Sequence, residues 1–126
     1  MMAAYGKKVW LIPDCYLNSV SKNPSVSHEA ICVINTSDED AEIKLTLFFE
    51  DRPAMDGFVS HCGAKRTHHI RMDKLCDKEG RLIPRDTPYA ALVESSVPIV
   101  VQYSRLDTSA AEMALMTTIA YPVDES

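Results

Sequence analysis

From Glu42 to Phe49 the chemistry of the chain alternates with a period of two. Ile43, Leu45, Leu47 and Phe49 fall on one side, and Glu42, Lys44 and Thr46 on the other, with Phe48 an apolar exception. Successive side chains of an extended backbone point to opposite faces, so this pattern describes a strand with one face in a core and one in water. A helix would scatter the same residues around its circumference. The segment predicts sheet, and it assigns Leu45 and Leu47 to the core.

Other segments extend this reading. His28 to Asn35 is mostly apolar, through Ala30, Ile31, Cys32, Val33 and Ile34, as in a more central strand. Ser37-Asp38-Glu39-Asp40 is a polar turn, so these two strands are expected to form a hairpin. Further strands fit Lys8–Ile12, Phe58–Cys62, Thr67–Met72, Ala90–Ser95, Ile99–Leu106 and Leu115–Tyr121. Turn chemistry separates most of them, at Asn18–Pro24, Arg52–Gly57, Asp77–Pro88 and Ser96–Pro98. Ser109–Met116 is the one stretch with helical character, with Ser109 as its cap. The expectation is an all-β, antiparallel β-sandwich of about eight strands, forming a single domain over residues 1–126. No repeat or linker interrupts it.

A chain of 126 residues that is 46% hydrophobic can bury a core without staples. Its net charge of −5 speaks against general nucleic-acid or anionic-membrane binding, which need a cationic surface. The start lacks a secretory apolar region, because Pro13 and Asp14 end the run that follows Lys7 and Lys8. Val97–Val101 is too short to insert in a bilayer. Cys15, Cys32, Cys62 and Cys76 include no C-x-x-C pair, and reduced thiols in the cytoplasm are expected. No spacing of His28, His61, His68 or His69 matches a recognised metal site, and no cofactor is expected.

Several blocks then occur in order. Trp10 and Tyr16 lie near the start, followed by Ser27-His28-Glu29-Ala30 in a strand that ends at Asn35. Phe48-Phe49-Glu50-Asp51-Arg52 comes next, then Arg66-Thr67 with His69, Ile70 and Arg71. Ile83-Pro84-Arg85-Asp86-Thr87, Val97-Pro98-Ile99-Val100-Val101-Gln102 with Arg105-Leu106-Asp107, and Thr118-Ile119-Ala120-Tyr121 complete the set. Together they resemble the sensory rhodopsin transducer family over nearly the whole chain. Cys15 before Tyr16, and a longer Asp77–Arg81 loop, depart from the family pattern. The resemblance implies a β-sandwich that assembles as a homotetramer and acts downstream of a membrane photoreceptor or other sensory receptor. It also implies a small polar, sugar-like or anionic ligand.

Thr67, His69 and Arg71 share one strand face, which sets an imidazole beside a guanidinium. Arg offers a planar donor fork and His can donate or accept, a pairing suited to a carboxylate, phosphate or hydroxyl. The family's polar set, Glu29, His69, Arg71, Arg85, Gln102 and Arg105, is the expected ligand-binding group. Glu29 aligns with Ile31, Val33 and Asn35, whereas His28 aligns with Ala30, Cys32 and Ile34. Cys32 reads as a buried thiol. Arg105 and Asp107, two apart on one face, are expected to pair. In the turn, Asp86 is expected to accept N–H groups and Arg85 to contact a neighbour. Phe48, an aromatic on a polar face, marks an interface.

The chain contains neither a G-x-S-x-G elbow nor a phosphate loop, so no enzyme is expected. The alternative is a nucleic-acid-binding adaptor that uses Lys65, Arg66, His68, His69, Arg71 and Lys74. Strand alternation divides that patch between two faces.

Overall fold

The computed structural model describes residues 4–22, 26–110 and 112–124. Eight antiparallel strands form one continuous hydrogen-bonded sheet: β1 (Lys7–Cys15), β2 (His28–Asn35), β3 (Ala41–Phe49), β4 (Met55–Cys62), β5 (Arg66–Arg71), β6 (Tyr89–Asp107), β7 (Ala114–Ile119) and β8 (Tyr121–Val123). No helix occurs among the described residues. The segment with helical character holds instead a turn, closed by the Met113 N–H on the Ala110 carbonyl, and then β7; Ala111 lies outside the described residues. The expected Asn18–Pro24 turn likewise runs into residues 23–25, outside them.

The strand β6 organises the fold. Its first half lies between β3 and β1, with β4 beyond β3 and β8 beyond β1. Its second half lies between β2 and β7, with β5 beyond β2. The two halves face each other across one hydrophobic cluster, in which Trp10, Leu45, Phe58 and Val93 of the first meet Ile31, Val33, Ile70 and Val101 of the second. The sandwich therefore has two leaves joined through a shared strand.

Two expectations change on this point. Ser96–Pro98 is no turn: β6 runs through it, with odd-numbered residues buried from Tyr89 to Tyr103. Residues 96–98 lie past the last β3 pair at Ser95, before the first β2 pair at Val100, and within a register shift of the β1 ladder between its Glu94 and Ile99 pairs, so the missing Pro98 N–H costs no regular ladder bond. The second change concerns β2 and β3, which are not hydrogen-bonded to each other; β2 pairs with β5 and β6, and β3 with β4 and β6. Their connection crosses between leaves, because each strand finds its partner on a different half of β6. Asn35 fixes that crossing. Its amide donates to the Glu39, Cys62 and Gly63 carbonyls, and its oxygen accepts the Ser37 N–H and hydroxyl.

Both Leu45 and Leu47 are buried, as the alternation predicts. The β1 strand outruns its expected end by passing Pro13 on a register shift between Ile12 and Cys15. Gly6, at φ +105°, lies so near the Ile99 carbonyl that a Cβ would stand 1.9 Å from its oxygen. All four cysteines are free thiols. Cys32 is half-buried rather than buried, since its face turns to solvent and its sulfur lies 3.8 Å from the Ser104 hydroxyl.

Candidate functional site

The six polar residues singled out in the sequence separate into two groups. Glu29, Arg105 and Arg85 gather at one end of the sandwich. His69, Arg71 and Gln102 lie on the outer face of the second leaf, where Cys32 is the cross-strand neighbour of both His69 and Gln102.

Glu29 occupies the core face of β2, 0% exposed. Its carboxylate accepts the Tyr16 N–H at 2.6 Å, the Tyr89 hydroxyl at 2.6 Å, and the Tyr103 hydroxyl. Arg105 stands directly opposite in the β2–β6 register, and its Nε lies 3.6 Å from a Glu29 oxygen. The same Nε donates to the Tyr103 hydroxyl at 3.0 Å, and the guanidinium lies over the Tyr103 ring. Burial raises the Glu29 carboxyl above its ordinary value, and the Tyr89 hydroxyl, the Tyr16 N–H and Arg105 pull it part of the way back. Burial likewise pushes the neighbouring Cys15 thiol and the Tyr89 hydroxyl up.

The network reaches the surface at Asp14. The exposed Asp14 carboxylate is 3.9 Å from Arg105 and forms a wall shared by two clefts. One, about 380 Å³, is lined by Pro13, Asp14, Phe48, Phe49, Glu50, Pro88, Tyr89 and Ala90. Its lining combines the aromatic rings of Phe48, Phe49 and Tyr89 with the carboxylates of Asp14 and Glu50, and the Tyr89 hydroxyl links it to Glu29. The other, about 560 Å³, opens between the end of β1 and the β7–β8 segment.

Arg85 braces this end from a loop by donating to the Asn18 carbonyl at 2.8 Å. Beside it Asp86 accepts the Ser19 N–H and hydroxyl, which lower its carboxyl below the ordinary value. Asp107 does not pair with Arg105. It accepts the Ser109 N–H and the Asn18 amide, because Arg105 finds Glu29 straight across the ladder, while Asp107 lies about 6.6 Å further along the strand.

On the outer face, the Arg71 fork is already taken. Nε and Nη2 donate to the two Asp73 oxygens at 2.8 and 2.9 Å. Asp73 is burdened by burial, but these bonds outweigh it and hold its carboxyl below the ordinary value. Gln102 donates to the Thr117 hydroxyl. His69 is exposed and shows no hydrogen bond or ion pair among the described residues. The basic segment is similarly compensated: Lys65 pairs with Asp38 at 3.1 Å, and Arg71 with Asp73.

Sequence reasoning missed Tyr89, Tyr103, Asp14, Phe48 and Phe49 as parts of one site. One signal was present: Glu29 shares the parity of Ile31 and Val33, and a carboxylate on a core face needs buried donors. Among the described residues, no group of His, Cys, Asp and Glu is arranged to hold a metal ion, and no helix is long and apolar enough to cross a membrane.

Comparison with known proteins follows the same lines. The family described as Anabaena sensory rhodopsin transducer matches residues 5–122. The crystal structure of Thermotoga maritima 1070 is 38% identical, with a TM-score of 0.85 over 96% of this chain and 98% of its own. The Anabaena sensory rhodopsin transducer is 33% identical, with a TM-score of 0.71 over 80% of this chain and 98% of its own. No curated protein matches the chain.

Proposed function

The chain belongs to the Anabaena sensory rhodopsin transducer family, and from that premise we propose that it is a non-catalytic signalling module of the cytoplasm, which binds a small sugar-like ligand and passes its state to or from a sensory receptor. The observation that carries this reading is the cleft over Tyr89. Phe48 and Phe49 offer apolar faces to the C–H side of a polyol, and Asp14 and Glu50 offer acceptors to its hydroxyls. Two carboxylates at the rim favour a neutral polyol over an anion.

The buried chemistry supports a role in binding. Glu29 is wholly buried and accepts three hydrogen bonds from this chain's own donors, an arrangement that suits a structural carboxylate better than one exchanging protons with a ligand. Through Tyr89 and Arg105 the same network touches the cleft wall on two sides, which gives a bound ligand a rigid route to β2 and β6. The proposal includes the homotetramer that the sequence resemblance implies, in which four such clefts would be presented to a receptor.

A thermal-shift screen of sugars, sugar phosphates and carboxylates tests the reading. Titration calorimetry on Asp14→Asn and Phe48→Ala follows, with product analysis after incubation. Neutral polyols should bind unchanged in composition, and each variant should lose roughly tenfold in affinity. Conversion of a ligand, or undiminished affinity in both variants, would overturn the proposal.

A further inference from the structure

The strand β8 pairs with β1 at three positions, from Val9 with Val123 to Leu11 with Tyr121. On the far side of Tyr121 the chain passes through Ala120 into β7, which belongs to the other leaf. Ile12, Pro13 and Asp14 therefore have no β8 residue beside them. Across the gap, Thr118 and Met116 stand opposite Tyr103 and Arg105 of β6, on the side of β7 that faces the core. Both are nevertheless exposed, Met116 at 44%. The sandwich is open along this side, and the opening is the cleft of about 560 Å³.

Its lining is chemically uneven. Ile12 and Ala120 are buried core residues, and Met116 adds a flexible thioether that adapts to an apolar guest. At the rim lie the Tyr121 ring, 66% exposed, and the Asp14 carboxylate, whose side chain is 85% exposed. Asp14 is the one charged side chain among the described lining residues. It falls in the register shift of β1 between Ile12 and Cys15. Arg105 reaches it from behind: Nη2 donates to the Asp14 carbonyl at 3.5 Å and lies 3.9 Å from a carboxylate oxygen, beyond hydrogen-bond reach. The carboxylate is left open to a further cation.

We propose that this cleft binds a small organic ammonium with an apolar body, its head between Asp14 and Tyr121 and its body over Ile12, Met116 and Ile119. The volume suits a small ligand, and mostly apolar walls with one placed charge are the usual make-up of such a site. A carboxylate and the face of an aromatic ring both attract an ammonium. Charge selects the occupant: an anion would meet Asp14 and a chain of net −5, and a neutral apolar molecule would leave the carboxylate without a partner. The site is separate from the polyol cleft, with which it shares Pro13 and Asp14 alone, and it does not rest on the polyol reading.

Hexylammonium, 1-hexanol and hexanoate share one chain and differ in the head, so they test the charge directly. Titration calorimetry on the whole chain should give hexylammonium about tenfold tighter binding than either of the others, the combined effect of an exposed ion pair and a ring contact. Amide NMR shifts should fall at Ile12, Asp14, Ile119 and Tyr121. Asp14→Asn should make hexylammonium and hexanol alike. Ile119→Lys, which brings the chain's own ammonium to the rim, should weaken hexylammonium by about tenfold or more. Phe48→Ala alters the polyol cleft alone; it should lose polyol affinity and keep hexylammonium, so the two readings fail separately. If Asp14→Asn does not fold, Ile119→Lys decides. Equal binding of the three probes would reduce the cleft to an apolar surface and overturn the proposal, as would a preference for hexanoate. Hexylammonium shifts confined to residues outside the cleft would also overturn it, and so would cleft amides that no probe moves, which would give the opening to another occupant.

Discussion

The end of the sandwich around Glu29 and the outer face around His69 hold the same kinds of side chain and use them in opposite ways. At the end, a guanidinium and two tyrosine hydroxyls close on a wholly buried carboxylate. On the outer face, Arg71 pairs locally with Asp73 two residues on, Gln102 with Thr117, and His69 faces solvent. The difference teaches that burial, more than residue type, sets the worth of a polar group. A satisfied buried network leaves costly orphans when one member is removed, while an exposed group returns to water at almost no cost.

The comparison can be broken most directly at Glu29. Glu29→Ala strands Arg105, both tyrosine hydroxyls and the Tyr16 N–H, and should destabilise the fold by about 3–5 kcal/mol in urea denaturation. A loss below that of an ordinary surface change would mean that the network contributes nothing. Leu45→Ala calibrates the apolar core around the network, and about 2–5 kcal/mol is expected.

Acid and base should act on the two regions with opposite sign. Glu29 is raised in the folded state, so the native chain holds a proton that the unfolded chain has released. Stability should fall as pH rises from the ordinary glutamate value of 4.5 towards the raised one, and Glu29→Gln should abolish that slope. Asp73 is lowered, so its contribution is present above the ordinary value of 3.8 and is lost as pH falls below it; Arg71→Ala should remove that acid limb. Denaturation midpoints across pH, parent against variant, read both. Slopes of the same sign would refute the contrast.

At neutral pH, Arg71→Ala should cost no more than about 1 kcal/mol, since the pair is partly exposed. His69→Ala should stay within about 0.5 kcal/mol of the parent. A larger effect at His69 would give the outer face a structural role that its exposure does not suggest.

How much of this was legible beforehand varies with the range of the interaction. The alternation of Glu42 to Phe49 located β3 and its core face, because period two is a local property of an extended backbone. The parity of Glu29 with Ile31 and Val33 likewise marked a carboxylate on a core face. The Arg85–Asp86 turn was legible only in kind: its residue types imply hydrogen bonds, but Asp86 takes the N–H and hydroxyl of Ser19, and Arg85 the Asn18 carbonyl, 67 residues away rather than within the turn. Pro98 misled, because proline reports a missing N–H but not whether a neighbouring strand required one. The Ser37–Asp40 turn misled similarly; turn residues reverse a chain without naming the strand it will meet.

What the sequence by itself determined is the period-two code: all-strand structure, the faces of β2, β3 and β6, and membership of a family whose blocks run in order along the chain. Only the tertiary structure decided that β6 serves both leaves, that Tyr89 and Tyr103, 60 and 74 residues from Glu29, converge on its carboxylate, and that Arg71 is spent on Asp73 while β7 lies open. The physical reason is that side-chain parity is set by each residue's own backbone, whereas partnership is set by which distant strands come to lie side by side, a choice made by burying the whole core at once.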